Sequence, residues 1–178
     1  MHYVSTDNRI VNLKSTIVNK LMSLFDNSVK PIGLASDHAG FPAKAYVIKV
    51  LKEKGIPYKD FGTYSEERCN YADFGHPLAL AVERGDCYPG IAICGSGNGI
   101  NMTVNKHQGI RAALCWNPAI AKCARTHNDA NILSLPGRWL YEEEIYDILV
   151  TFLNTPFEGG RHKQRIEKIP VNHLDTVI

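Results

Sequence analysis

Short apolar runs alternate with longer amphipathic segments along the chain from Lys30 onward. Runs of this length, bounded by turn residues, predict buried strands. Four such runs cover residues 31–36, 90–94, 109–115 and 131–135, and a more polar strand is predicted over residues 56–61. The segments between them carry apolar residues three and four positions apart, which is the spacing of one helix face. These predicted helices cover residues 41–54, 76–84, 118–127 and 141–153, with a shorter helical segment after residue 99 and a loop over 62–73.

Strands that alternate with helices in this way are typical of βαβ units, which build a parallel sheet with helices on both faces. The sequence therefore predicts an α/β fold around a five-stranded parallel sheet. Ligands of such sheets bind beyond the carboxyl ends of the strands. The residues that directly follow the apolar runs are accordingly the first candidates for a functional site.

The first 29 residues stand apart from this pattern. Their apolar residues recur at spacings of three and four, which predicts one face of a helix. These residues are Ile10, Leu13, Ile17, Leu21 and Leu24. We interpret residues 1–29 as a helical extension that packs on the domain or on its partner, followed by a single domain over 30–178 that ends in a helix. An extension with a function of its own is the alternative, and the sequence gives it no chemistry.

The composition is that of an ordinary globular protein, with 44% apolar and 21% charged residues. A net charge of +2 with both signs interspersed argues against a nucleic-acid partner. No apolar run approaches the roughly 20 residues that span a bilayer, and the N-terminus lacks the apolar core of a secretory signal. The five cysteines form no C-x-x-C pair, which favours free thiols in a reducing compartment. We therefore expect a cytoplasmic protein without membrane contact.

A glycine cluster, Gly95-Ser96-Gly97-Asn98-Gly99, follows the third predicted strand. Successive backbone N–H groups in such a loop can converge on an anion. A tight turn without a ligand is the alternative interpretation. A dinucleotide-binding fingerprint fits poorly, because G-x-G-x-x-G requires its third glycine at position 100, which is Ile100. The acidic residue expected about 20 positions later is also missing.

Four other motifs are chemically ambiguous when they are taken singly. Cys94 could be an activated thiol or a buried packing residue. Asp37-His38 could face a ligand or begin a helix, and His127-Asn128-Asp129 could shuttle protons or serve a helix end. Arg161 and Arg165 would share one helix face, suited to phosphate or simply to solvent. No residue cluster has the spacing of metal ligands, so we expect no metal and no cofactor.

Taken together, the motifs resemble the ribose-5-phosphate isomerase B and galactose-6-phosphate isomerase family over about residues 31–170. The motifs occur in the order of that family. They are SDHAG (36–40), NYAD (70–73), CGSGNGI (94–100), NK (105–106), GIRAA (109–113), RTHNDAN (125–131) and GGRHKQRI (159–166). The resemblance implies a Rossmann-like three-layer α/β/α sandwich and a homodimer with shared active sites, sometimes paired into tetramers.

The family has two branches, which differ in the base that moves the proton. One branch uses a cysteine before the glycine loop, and the other uses a glutamate after its last glycine. This chain has Cys94 at the first position and Ile100 at the second, so the resemblance implies that Cys94 is the base. Ala72 departs from the proline of many relatives, and the extension before residue 30 has no counterpart in the family's usual start.

The resemblance also implies a mechanism through a cis-enediolate without a cofactor. Cys94 would transfer the proton between C2 and C1, Asp37 and His127 would assist ring opening, and Ser96 would help protons move between the oxygens. The remaining residues would bind the substrate. They are His38, Arg138, Arg161 and Arg165 at the phosphate, Tyr71 as a wall, and Gly95, Gly97, Asn98, Gly99 and Asn128 around the sugar.

The expected reaction is interconversion of ribose 5-phosphate and ribulose 5-phosphate. The complete set of catalytic and phosphate-binding residues in one polypeptide favours this pentose enzyme over the hexose relatives that divide these roles between two chains. The alternatives are an isomerase of allose or galactose 6-phosphate, a non-catalytic sugar-phosphate-binding subunit and a flavodoxin-like nucleotide-binding module.

Overall fold

A computed structural model describes residues 30–171 as a central parallel sheet with helices on both faces. The strands are β1 (Ile32–Ser36), β2 (Tyr58–Asp60), β3 (Gly90–Cys94), β4 (Ala112–Leu114) and β5 (Ile132–Pro136). The helices are α1 (Phe41–Glu53), α2 (Tyr71–Glu83), α3 (Asn98–Val104), α4 (Pro118–Asn128), α5 (Glu142–Asn154) and α6 (Arg161–Ile166). The five strands lie in the order β2-β1-β3-β5-β4, and every pair is parallel. The structure confirms the predicted α/β/α sandwich.

The three central strands are buried along their whole length because helices cover both faces of the sheet. Side chains alternate between the faces of a strand, so neighbouring residues enter different cores. Ile91 and Ile93 of β3 pack with α1, α4 and α5, whereas Ala92 and Cys94 pack with α2 and α3. Phe152 of α5 belongs to the larger of the two cores and is 1% exposed.

Two element boundaries differ from the sequence prediction. Helix α2 begins at Tyr71, inside the predicted loop, because Asn70 is extended at the N-cap and Asp73 lies in the first turn. Gly75 and Pro77 have low helix propensity, so the sequence does not predict a helix here. The packing of the buried face of α2 stabilises the helix despite these two residues. Strand β4 is limited to three residues because, at the edge of the sheet, it pairs only with β5.

The predicted helical extension over residues 1–29 lies outside the described residues. Among residues 30–171, no helix is both long enough and apolar enough to cross a membrane.

Candidate active site

The carboxyl ends of β1 and β3 form a crevice at the point where the sheet topology changes direction. The chain passes from β1 to β2 on one side, and β3 pairs with β1 on the other. Ligands of open parallel sheets bind at such a switch point. Ser36 is level with Ile93, and Cys94 is level with Pro136 of β5. The turns after β1, β3 and β5 therefore meet at one edge of the sheet.

Asp37 follows β1, and its side chain organises the turn after that strand. Its Oδ1 accepts a hydrogen bond of 2.8 Å from the backbone N–H of Gly40, and its own N–H donates to the carbonyl of Ile93 at 3.2 Å. A Cβ at Gly40 would lie 2.4 Å from that same carbonyl oxygen, so only glycine allows this approach. The N-cap of α1 is Gly40 rather than Asp37. The carboxylate is thus fixed beside the crevice.

Cys94 ends β3 and is 4% exposed. Its carbonyl accepts a hydrogen bond of 2.9 Å from the N–H of Gly137, and the next carbonyl, of Gly95, accepts one of 3.1 Å from the N–H of Arg138. These two bonds join the loop after β3 to the loop after β5. The thiol therefore stands on a rigid strand end beside the glycine loop.

The glycine loop is closely packed, so it is more than an open turn. Gly97 has a φ of 74°, and a Cβ there would lie 2.3 Å from Cδ1 of Leu114. A Cβ on Gly99 would lie 2.6 Å from the ring of Tyr71. Tyr71 therefore packs closely on the loop and is still 42% exposed.

Two polar side chains of the glycine loop are exposed at the mouth of the crevice. The Oγ of Ser96 accepts a hydrogen bond of 3.4 Å from the N–H of Asn98, which begins α3. Arg138, on the neighbouring loop, places its Cδ 3.4 Å from where a Cβ on Gly95 would be. Within residues 30–171, the guanidinium of Arg138 makes no hydrogen bond or ion pair, so it is free to bind an anion.

His38 lies on the β1 side of the crevice and is held by the loop before α2. Its Nδ1 is 3.2 Å from both the N–H nitrogen and the carbonyl oxygen of Cys69. Either tautomer of the ring thus finds a backbone partner. The other ring nitrogen, Nε2, is left for a ligand.

A second cluster of candidate residues surrounds the end of α4. The ring of His127 stacks on that of His162 in α6, with centroids 4.5 Å apart and planes 12° apart. His162 is 5% exposed. Burial lowers the pKa of His162, and the neighbouring His127, Arg161 and Arg165 lower it further, whereas the charge of Glu158 opposes the shift. The predicted phosphate ligands Arg161 and Arg165 therefore lie beside His162, the ring on which His127 stacks.

Asp129 does not orient His127, as the His127-Asn128-Asp129 motif had suggested it could. It ends α4 in a left-handed conformation with a φ of 43°. Its carboxylate pairs with Arg111 at 3.1 Å and with Arg125 at 2.9 Å. The neighbouring Asn128 is exposed, and its carbonyl accepts a hydrogen bond of 3.0 Å from Arg111. Asp129 thus closes the helix and holds the arginines.

The topology separates the two clusters within one chain. Helix α4 connects β4 to β5 and runs antiparallel to the strands, so His127 lies toward the amino end of β5. Cys94 is level with Pro136, at the carboxyl end of the same strand. Four residue steps along β5 separate these ends, or about 13 Å at the rise of a strand. The structure gathers Asp37, His38 and Cys94 at one edge of the sheet and leaves His127 near the other.

Sequence reasoning missed Lys44, whose side chain is fully buried. Its Nζ donates to Oδ1 of Asp60 at 2.5 Å and to the carbonyl of Thr63 at 2.6 Å. Desolvation lowers the pKa of Lys44, although the hydrogen bond and the charge of Asp60 oppose that shift. Thr63 in turn donates its N–H to the carbonyl of Ser36 at 2.8 Å. Lys44 therefore holds the loop after β2 against the end of β1.

Comparison with known proteins shows the family of the chain. A family described as Ribose/Galactose Isomerase matches residues 32–169. Ribose-5-phosphate isomerase B of Escherichia coli (strain K12) is 41% identical over 141 residues, which are 79% of this chain and 95% of that protein.

Two solved structures extend the similarity to the fold. A ribose 5-phosphate isomerase from Thermotoga maritima superposes with a TM-score of 0.78 at 47% identity and covers 79% of this chain and 97% of its own. Ribose-5-phosphate isomerase B from Mycoplasma genitalium with bound ribulose-5-phosphate gives a TM-score of 0.74 at 40% identity, over 78% of this chain and 93% of its own.

Proposed function

Because the chain belongs to the ribose/galactose isomerase family, we propose that it interconverts ribose 5-phosphate and ribulose 5-phosphate through an enediolate. The reaction is an aldose–ketose isomerisation, an internal redox exchange between C1 and C2. The observation that carries the proposal is the position of Cys94, at the end of β3 between the turn of Asp37 and the glycine loop.

The proton transfer is assigned to Cys94. As a thiolate, its sulfur takes the proton from C2 of the open-chain aldose. The C2–H electrons form the C1–C2 double bond of the enediolate, and the π electrons of the C1 carbonyl move to O1. The proton then returns to C1 while the proton on O2 passes to O1, and C2 becomes the carbonyl of the ketose. Ser96, exposed at the crevice, is suited to pass a proton between the two sugar oxygens. No external oxidant or reductant is needed.

The glycine loop is assigned to the developing negative charge. Backbone N–H groups that are already in place stabilise an oxyanion without reorganising during the reaction. The packing of Gly97 and Gly99 against Leu114 and Tyr71 holds the loop in one conformation. Asn98 is exposed beside them and is suited to a sugar hydroxyl.

Ring opening and phosphate binding are assigned to residues from both clusters. His127 and Asp37 would move the protons that open the furanose. His38, Arg138, Arg161 and Arg165 would bind the phosphate, and Asn128 the sugar. The two ends of β5 are about 13 Å apart, with His127 toward the amino end and Cys94 level with the carboxyl end, and we infer that His127 comes from a second copy of the chain. We therefore propose a homodimer in which each site combines residues from two subunits.

The cysteines are consistent with a reducing, cytoplasmic compartment. All five are free thiols, and three of them, Cys87, Cys94 and Cys115, are buried. Burial raises the pKa of Cys115 to about 12, so that this thiol stays protonated and inert. Localisation of the tagged full chain would test the compartment.

The test of substrate is kcat/KM for ribose 5-phosphate, ribulose 5-phosphate, allose 6-phosphate and galactose 6-phosphate, since this ratio defines specificity. The hexose phosphates are one carbon longer between the phosphate and C1, about 1.3 Å along the chain. A site that holds its geometry within about 0.5 Å should register that difference. We expect pentose phosphates to be preferred, with allose 6-phosphate as a slow substrate. A preference for either hexose phosphate would overturn the substrate assignment and leave the proton chemistry intact.

A further inference from the structure

Three side chains able to bind a metal converge where α4, α6 and the segment between α5 and α6 meet. They are His127, Glu158 and His162, and their ligand atoms all lie within 4.8 Å of one another. The backbone holds the segment in place, because the N–H of Glu158 donates to the carbonyl of Thr126 at 3.1 Å. The fold thus brings together residues that are 31 and 4 positions apart in the sequence.

One of these groups has an unsatisfied hydrogen-bonding requirement. The Nε2 of His162 is buried and has no hydrogen-bond partner among the described residues. The whole residue is 5% exposed. A buried polar atom without a partner is costly, and native proteins supply one for nearly all of them. A bound ligand would supply the hydrogen-bond partner that residues 30–171 do not provide.

We propose that His127, Glu158 and His162 form a Zn²⁺ site that blocks the proposed isomerase when it is occupied. Two imidazoles and one carboxylate are a donor set that zinc accepts, with a fourth position open to water. Zinc–ligand bonds of about 2.0–2.1 Å place tetrahedral ligand atoms about 3.3 Å apart. Because the rings of His127 and His162 are stacked with planes 12° apart, one ring must rotate out of the stack before both nitrogen lone pairs point at the ion.

The local charges make Glu158 the decisive ligand. Arg161 and Arg165 flank His162, and their positive charges oppose a cation. Glu158 is the one member of the cluster that carries negative charge, so it offsets this repulsion.

Occupancy of the site has a defined consequence for turnover. A metal on His127 removes the ring nitrogen that the proposed mechanism uses in ring opening. The metal therefore inhibits rather than assists, and chelators leave activity unchanged or raise it. Metal binding itself is independent of the proposed function, whereas the inhibition rests on it.

Metal binding is tested with Co²⁺ as a spectroscopic substitute for Zn²⁺ on the full chain. We expect one ion per chain with visible ligand-field bands and no thiolate-to-cobalt charge-transfer band. Glu158→Gln should weaken Zn²⁺ binding, measured by calorimetry, by at least about tenfold. Glu167→Gln, an exposed glutamate just past α6, is the matched control and should bind as the wild type does. A thiolate charge-transfer band, or equal affinity in the wild type and Glu158→Gln, would overturn the site.

Inhibition is tested by titrating Zn²⁺ into isomerase assays of the wild type, Glu158→Gln and Glu167→Gln. Without metal, Glu158→Gln should keep the basal rate, and it should tolerate at least about tenfold more Zn²⁺ than the other two proteins. Equal sensitivity in all three would overturn the regulatory part of the proposal. A chain that binds Co²⁺ as expected but isomerises none of the sugars would refute the proposed function and leave the metal site standing.

Discussion

Cys94 and Cys123 differ in what surrounds the thiol, and this difference gives a matched test of the base. Cys94 is 4% exposed beside the glycine loop, whereas Cys123 is exposed on α4. A general base contributes about 10²–10⁴-fold to a rate, so Cys94→Ala should lower kcat by that factor with little change in KM. Cys123→Ala should retain wild-type kinetics. Steady-state rates with ribose 5-phosphate decide the question, and comparable activity in both variants would exclude Cys94 as the base.

A second prediction for a single residue is that His162 makes the free energy of unfolding depend on pH. Its pKa is lowered from 6.5 in the folded protein, first by burial and then by His127 and the arginines beside it. Between the folded and unfolded pKa values the unfolded chain binds more protons, so stability falls as the pH drops below about 6.5. His162→Asn removes this proton uptake and should unfold with a shallower pH slope. Urea unfolding midpoints of both proteins at about pH 7 and about pH 5, measured with chelator, provide the comparison. Parallel slopes would contradict the assignment.

At the scale of an element, two glycines with nearly the same φ allow the cost of backbone strain to be measured separately from the cost of overpacking. Gly97, before α3, has a φ of 74°, and Gly159, before α6, has a φ of 71°. A Cβ at Gly97 would meet Leu114 at 2.3 Å, but nothing lies within 4 Å of one at Gly159. Gly159→Ala should cost only the left-handed strain of about 1–2 kcal/mol. Gly97→Ala should cost about 1–3 kcal/mol more, because it also overpacks the loop. The free energies of unfolding of the two variants would measure the difference, provided that their denaturant slopes are equal. An equal loss of stability in both variants would mean that the loop around Gly97 shifts to accommodate the added methyl group.

The elements also show where sequence reasoning succeeds and where it fails. The buried strands β1, β3 and β5 are continuous apolar runs, and sterics and burial alone make them predictable. The start of α2 was wrong because Gly75 and Pro77 have poor local helix propensity, while the stabilising contacts with β1 and α3 are distant in the chain. Lys44 was missed for a related reason. It occupies a helix face otherwise filled by Ala43, Val47 and Leu51, and only the folded loop after β2 supplies its partners.

At the scale of the whole molecule, the topology places the candidate site residues in two clusters, one at each edge of the sheet where strands begin or end. The sequence motifs correctly predicted that Asp37 and Cys94 follow strands that end at one edge of the sheet. Sequence spacing could not show that Glu158 joins His127 and His162, because their proximity depends on the packing of α6 against α4. Nor does the spacing of Cys94 and His127 reveal that α4 takes His127 toward the opposite edge. The separation of these two residues is therefore the observation on which the proposed homodimer rests.

Subunit mixing tests this shared site directly. Cys94→Ala and His127→Ala chains should each be inactive alone. In a mixed dimer, one site would combine Cys94 of the second chain with His127 of the first, while the other site lacks both. With equal amounts and random exchange, half of the dimers are mixed and each has one intact site, so activity should recover to about a quarter of the wild-type value. Exchange must be shown independently, for example by mass spectrometry of chains with different tags. Complete exchange without recovery would mean that both residues act within one chain, and the topology of α4 and β5 would then have to change on substrate binding.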